Sequence, residues 1–83
     1  MKPKCLIVED EPIAQEILRA YIEKTDLFEV RAQLNNALEA FSFLQKNTVE
    51  VLFLDIKMPQ MNRIELLKSI YRKPKVIITS ANS

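Results

Sequence analysis

The chain contains no histidine and no glycine, and only one cysteine, among its 83 residues. Without histidine it cannot form a Ser-His-Asp or Cys-His nucleophile pair, a histidine metal site or a histidine phosphocarrier. Without glycine it cannot form the glycine-rich phosphate loops of dinucleotide-binding and P-loop proteins. The lone Cys5 cannot form an internal disulfide, which predicts a reducing, cytoplasmic location. Any chemistry carried out by this chain therefore has to use carboxylates.

Charge and hydropathy narrow the possible partners. Twelve basic and eleven acidic residues give a net charge of +1 without a block of like charge, which argues against direct contact with nucleic acid or an acidic membrane surface. No apolar run approaches the roughly 18 residues that a membrane span needs, and the N-terminus does not resemble a signal peptide. A chain of 83 residues is expected to form one domain with one core.

Strand-like and helix-like segments alternate along the chain. Short β-prone runs predict four strands, at residues 4–8, 28–34, 49–54 and 76–79. Apolar residues at helical spacing predict three helices, at residues 12–24, 36–47 and 62–73. This βαβαβαβ order is typical of an α/β fold in which helices cover both faces of a parallel sheet.

Because glycine is absent, we expect asparagine to take the left-handed backbone positions that turns require. Five asparagines lie between apolar segments, namely Asn35, Asn36, Asn47, Asn62 and Asn82. Asn36, with Glu39 three residues later, is expected to cap the second helix. Asn47 is expected to end that helix as a left-handed cap.

Acidic residues follow two of the predicted strands directly. Glu9 and Asp10 come after the first strand, and Asp55 comes after the third. Ligands of parallel sheets bind beyond the carboxyl ends of the strands, so these carboxylates converge if the two strands are neighbours. Like charges at that distance destabilise a fold, and a hard cation such as Mg²⁺ relieves the repulsion. Alternatively the acids cap the first helix and begin a turn, but their joint position at two strand ends favours a metal site.

Three segments together resemble the receiver domain of two-component response regulators, namely residues 6–11 (LIVEDE), 52–59 (LFLDIKMP) and 76–81 (VIITSA). The resemblance covers residues 1–83 and implies a flavodoxin-like fold without the family's usual fifth strand and last helices. It implies that a sensor histidine kinase phosphorylates Asp55 and that Ser80 is the switch hydroxyl. It also implies Mg²⁺ as cofactor, held by Glu9, Asp10, Asp55 and the backbone carbonyl of Lys57.

This sequence departs from the receiver pattern in two places. Receivers usually carry a lysine at the end of a fifth strand, and this sequence ends before that position. Arg63 stands where glycine is common. This costs on the order of 1 kcal/mol if that residue takes a positive φ angle, and nothing if it is the first residue of a helix. The segments around Asp55 and Ser80 are similar to receivers that precede LytTR-type DNA-binding domains. Control of transcription would then belong to a longer parent protein, and the chain itself is not expected to be an enzyme.

Two alternatives follow from other features. The last predicted strand leaves an apolar sheet edge, through which a receiver-like module could pair as a homodimer or exchange elements with a second copy. An aspartate after an apolar strand is also the nucleophile of haloacid-dehalogenase-like phosphatases, which use Mg²⁺. The pattern of those enzymes has a second aspartate two residues beyond the nucleophile, and this chain has Lys57 at that position.

Overall fold

A computed structural model describes residues 2–55 and 74–79, which form a parallel sheet with two helices. The elements are β1 (Lys4–Val8), α1 (Pro12–Thr25), β2 (Glu29–Leu34), α2 (Ala37–Lys46), β3 (Val51–Asp55) and β4 (Lys75–Thr79). The strand order is β2-β1-β3-β4, and each neighbouring pair is parallel. The predicted fold class is therefore confirmed, while the predicted third helix lies outside the described residues.

The two central strands are apolar on both faces, which explains their position in the middle of the sheet. On one face, Leu6 and Val8 of β1 and Leu52 and Leu54 of β3 pack with Ala37, Ala40 and Val49. On the other face, Cys5, Ile7, Val51 and Phe53 pack with Ile22 and half-buried Leu18 of α1. Each large side chain buried in this way contributes roughly 1.5–3 kcal/mol. The carboxyl ends of β1 and β3 are thus held by the best-packed part of the chain.

Helix α1 begins as predicted and buries only part of its apolar surface. Pro12 occupies the first turn, where its missing N–H costs no hydrogen bond. Leu18 and Ile22 lie toward the sheet, whereas the row formed by Ile13, Ile17 and Tyr21 is exposed. The two rows are one residue apart, which rotates them by about 100° around the helix axis. Neither described helix is long and apolar enough to cross a lipid bilayer.

Helix α2 begins as predicted but ends differently. The Asn36 side chain accepts a hydrogen bond from the Glu39 N–H at 2.8 Å, which confirms the predicted N-cap. The prediction that Asn47 is left-handed is wrong, because its φ and ψ angles are −135° and 145°. Its backbone N–H and its side-chain Nδ2 both donate to the carbonyl of Phe43, at 2.9 and 3.0 Å. These bonds satisfy that carbonyl without a left-handed turn.

The left-handed backbone conformation that we expected of asparagines is found instead at an aspartate. Asp26 ends α1 with a φ angle of 57°, and no other non-glycine residue in the described part of the chain has a positive φ angle. The expectation is therefore also wrong for Asn35 and Asn36, while Asn62 and Asn82 lie outside the described residues. Aspartate tolerates this conformation nearly as well as asparagine because its short polar side chain bonds locally.

Candidate metal centre

The sheet topology places a binding site between β1 and β3. The chain passes from β1 to β2 on one side and then crosses to β3 on the other, so the strand order reverses between β1 and β3. Ligands of open α/β sheets bind beyond the carboxyl ends of the strands at such a reversal. Val8 pairs with Leu54 in the sheet register. The residues that come next, Glu9 and Asp55, therefore begin level with each other at this edge.

Three predicted ligands converge at this edge. One carboxylate oxygen from each of Glu9, Asp10 and Asp55 can be chosen so that all three oxygens lie within 4.8 Å of one another. Glu9 and Asp55 are each only 3% exposed, whereas Asp10 is exposed to solvent. The cluster therefore has two buried carboxylates and one carboxylate that is open to water.

Helix capping does not account for the buried position of Glu9. Glu11 occupies the N-cap position of α1 and makes no side-chain capping hydrogen bond. The carboxylate of Glu9 accepts a hydrogen bond from the backbone N–H of Glu11 at 3.2 Å. This N–H belongs to the N-cap residue itself and precedes the helical N–H groups that a capping side chain would satisfy. The structure therefore does not support the capping hypothesis for Glu9.

Burial and crowding change the acidity of Glu9. Burial, which disfavours the charged form, raises the pKa of Glu9 from 4.5 to about 7. The hydrogen bond from the Glu11 N–H lowers this pKa, while the neighbouring carboxyl groups of Asp55 and Asp10 raise it further. Within the described ranges, no lysine or arginine forms an ion pair with Glu9. A cation held between the carboxylates would reverse this shift.

The donor set of the cluster fits Mg²⁺. All three side chains offer hard carboxylate oxygens, and the exposed side at Asp10 leaves room for the water ligands that Mg²⁺ retains. The carbonyl of Lys57, predicted as a further ligand, and the hydroxyl of Ser80, predicted as the switch group, lie outside the described residues. Cys5, by contrast, is fully buried, and burial raises the pKa of its thiol to about 11, so it stays protonated.

Thr79 is a polar residue near the site that the sequence pattern did not identify. It pairs with Asp55 in the register between β3 and β4. Its hydroxyl is buried and forms no hydrogen bond with any group in the described part of the chain. Only the strand register reveals this position, because the sequence shows simply a threonine at the end of a β-prone run.

Replacing Thr79 with valine should stabilise the chain. Valine has nearly the same shape and removes a buried hydroxyl whose burial without a partner costs about 1 kcal/mol or more. We expect the free energy of unfolding, measured by urea denaturation, to rise by about 1 kcal/mol. The exposed Thr48→Val variant is the control and should change stability by less than about 0.5 kcal/mol. A less stable Thr79→Val variant would show that this hydroxyl does bind a native group.

Comparisons with known proteins identify the family of this fold and site. A family model described as the response regulator receiver domain matches residues 5–83. The transcriptional regulatory protein BtsR of Escherichia coli strain K12 is 34% identical over 80 residues, which are 94% of this chain and 34% of BtsR. A protein-glutamate methylesterase/protein-glutamine glutaminase of Paramagnetospirillum magneticum is 36% identical over 81 residues, which are 96% of this chain and 23% of that protein.

A solved structure agrees with these matches. The response regulatory domain of protein mrkE from Klebsiella pneumoniae superimposes with a TM-score of 0.81 at 32% identity, covering 94% of this chain and 66% of that one. The chain spans about a third of the length of BtsR. The sheet order, the acidic cluster and the match over residues 5–83 agree, and the chain belongs to the response regulator receiver domain family.

Proposed function

We propose that residues 1–83 belong to a single receiver domain that accepts a phosphoryl group on Asp55 from a sensor histidine kinase in the cytoplasm. The observation that carries this proposal is the convergence of Glu9, Asp10 and Asp55 at the strand-order reversal. In this role the chain is a switch that is itself modified, rather than an enzyme with a separate substrate.

Glu9, Asp10 and Asp55 would hold Mg²⁺, with the carbonyl of Lys57 as a further ligand. When bound, the ion supplies positive charge that neutralises the phosphoryl oxygens. That charge is needed here because two of the three carboxylates are buried and would repel an incoming phosphate. The placement of Asp10 on the exposed side of the cluster supports a site that opens to solvent.

The reaction at Asp55 is a transfer of one phosphoryl group. A carboxylate oxygen of Asp55 attacks the phosphorus of a phosphohistidine, an O–P bond forms and the P–N bond breaks. The leaving imidazole nitrogen keeps the electron pair of the broken bond, and the product is an acyl phosphate. The fixed position of Asp55 at the end of buried β3 keeps the nucleophile aligned, and positioning supplies much of the catalysis in such transfers.

The phosphoryl group would then act on Ser80. A hydroxyl at that position can donate a hydrogen bond to a phosphoryl oxygen. Because the contact exists only in the phosphorylated state, it would shift the population of the segment that follows β4. The register of β4 supports this assignment, since Thr79 lies level with Asp55 and Ser80 is the next residue.

The output of the switch would depend on a partner or a further domain rather than on residues 1–83 themselves. The relatives include a transcriptional regulatory protein and a protein-glutamate methylesterase, so receivers similar to this chain occur with different partners. We propose control of transcription, through a LytTR-type DNA-binding domain, as the output. Direct binding of nucleic acid by this chain is not part of the proposal, because its net charge is only +1.

A homodimer through β4 is a second candidate. β4 is the outermost strand on its side of the described sheet, and Ile77 on that strand is 42% exposed. An exposed apolar strand edge can pair with another chain. A solution mass that doubles with concentration would support this interaction, and a constant monomer mass would exclude it.

Intact-mass analysis after incubation with acetyl phosphate tests the proposed phosphorylation. With Mg²⁺ present, we expect the chain to gain the mass of one phosphoryl group. With the metal removed by a chelator, we expect the mass to stay unchanged. A folded chain that gains no phosphoryl group in the presence of Mg²⁺ would contradict the proposal.

A further inference from the structure

A chain of polar side chains connects α1 and β2 to the acidic cluster. The side-chain Nε2 of Gln15 donates hydrogen bonds to two backbone carbonyl oxygens, those of Glu9 and Leu34, each at a distance of 3.1 Å. The Gln15 Oε1 atom accepts a hydrogen bond from Gln33 Nε2 at 2.8 Å. Gln15 is half-buried and thus satisfies both of its donors and its acceptor within the protein.

The hydrogen bonds around Gln15 define the orientation of its amide. Gln33 donates to the oxygen of Gln15 and in turn accepts at its own oxygen from Arg19 Nη1 at 2.8 Å. Arg19 pairs with Glu23 at 3.0 Å on the same helix. Since arginine can only donate, this sequence of bonds assigns the oxygen and nitrogen ends of both glutamines. The nitrogen of Gln15 therefore faces the carbonyl of Glu9.

This amide bridges the end of β2 and the backbone of Glu9, which is itself a member of the acidic cluster. The Leu34 carbonyl at the end of β2 also accepts from the backbone N–H of Glu9 at 2.9 Å. The hydrogen bonds of Gln15 to Glu9 and Leu34 thus close a ring with the bond from the Glu9 N–H to Leu34. Glu9 is the first residue of the loop between β1 and α1. That loop carries Glu9 and Asp10, whose carboxylates lie close to Asp55 and repel it and each other when all three are ionised. In that ionised state, and without a restraint, the repulsion favours a loop that moves away from Asp55.

We propose that Gln15 is a positioning residue for the metal site: its side-chain amide ties the Glu9 carbonyl to the end of β2 and so holds the Glu9–Asp10 loop against Asp55. The inference rests on the proposed function, because it concerns the same acidic site. Residues that orient metal ligands through hydrogen bonds typically change metal affinity about 10- to 100-fold when they are replaced. Gln15 contributes no ligand atom of its own and acts through the backbone of Glu9.

The test compares two replacements of Gln15 by calorimetric titration of the 83-residue chain with Mg²⁺. Gln15→Met keeps the length of the side chain but has no donor, and we expect it to weaken Mg²⁺ binding about 10-fold. Gln15→Arg restores N–H donors for the carbonyls of Glu9 and Leu34 and loses only the acceptor for Gln33. Because the tie to Glu9 is kept, it should bring the affinity back to within about 3-fold of the original chain. Arg31→Met is the matched control, because Arg31 forms its ion pair with Glu29 on β2, and it should leave the affinity unchanged.

Amide hydrogen exchange of the metal-free variants separates this inference from the proposed function. The Glu9 N–H bonds to Leu34 and the Glu11 N–H bonds to the Glu9 carboxylate, so both report on the loop. We expect these two amides to exchange about 10-fold faster in Gln15→Met than in the unsubstituted chain. The exchange rates of the β3 amides should not change, because the substitution affects only local opening. Failure of the unsubstituted chain to bind Mg²⁺ would overturn the proposed function, and with it the metal-positioning role. Binding that is equal in the unsubstituted chain and Gln15→Met, or unchanged exchange of both amides, would overturn the role of Gln15 alone.

Discussion

Replacing Asp55 with asparagine should abolish the phosphoryl adduct formed with acetyl phosphate and Mg²⁺. Asparagine keeps the shape of the side chain, but its amide is not a nucleophile toward phosphorus. The fold should survive the change, because removing one of three crowded carboxylates lowers the repulsion within the cluster. Intact-mass analysis should therefore show a folded chain of unchanged mass under conditions that modify the original chain completely.

A matched acid-to-amide change elsewhere controls for charge. Glu16 is exposed on α1 and belongs to none of the described ion pairs, so Glu16→Gln should be phosphorylated like the original chain. An adduct that persists in Asp55→Asn would place the phosphoryl group on another carboxylate and contradict the assignment. An adduct that forms equally well without Mg²⁺ would contradict the metal's role but leave Asp55 as the acceptor.

The fold could be predicted because its central strands are uninterrupted apolar runs. Such runs need cover on both faces, which alternating helices provide, and the acids that end them mark the carboxyl edge of the sheet. The bounds of β3 were harder to place: residues 49–54 were predicted, and the strand is Val51–Asp55. Val49 is buried before the strand begins, and apolar character alone cannot separate a buried approach to a strand from the strand itself.

Features that depend on contacts between distant residues could not be predicted from the sequence. The hydrogen bonds of Gln15 to Glu9, Leu34 and Gln33 require α1 and β2 to be placed first. The position of Thr79 beside Asp55 requires the register of β4. The site was nevertheless predictable in part, because Glu9, Asp10 and Asp55 each follow a strand directly and need only adjacent strands to converge. Lys57, which stands where a phosphatase of the haloacid-dehalogenase type has aspartate, agrees with the match to receivers.

The stability of the metal-free chain should fall as the pH rises from about 4.5 to about 7, the two values between which the pKa of Glu9 shifts on folding. Over this interval the folded chain binds more protons at Glu9 than the unfolded chain does, so raising the pH favours unfolding. Below the interval the carboxyl group is protonated in both states, and above it the group is ionised in both. The loss attributable to Glu9 is on the order of 3 kcal/mol, measurable by urea denaturation at a series of pH values.

Glu9→Gln should remove most of this pH dependence, because the amide is neutral in both states. Without metal at pH 8, the variant should be more stable than the original chain by on the order of 2 kcal/mol. Mg²⁺ at 100 times its dissociation constant should stabilise the original chain by about 2.7 kcal/mol and have much less effect on the variant. Glu16→Gln should retain both the pH dependence and the response to Mg²⁺. Equal pH dependence in Glu9→Gln and the original chain would show that another group titrates. The expected pattern would mean that the buried negative charge of Glu9, which weakens the metal-free fold, is also what attracts the ion.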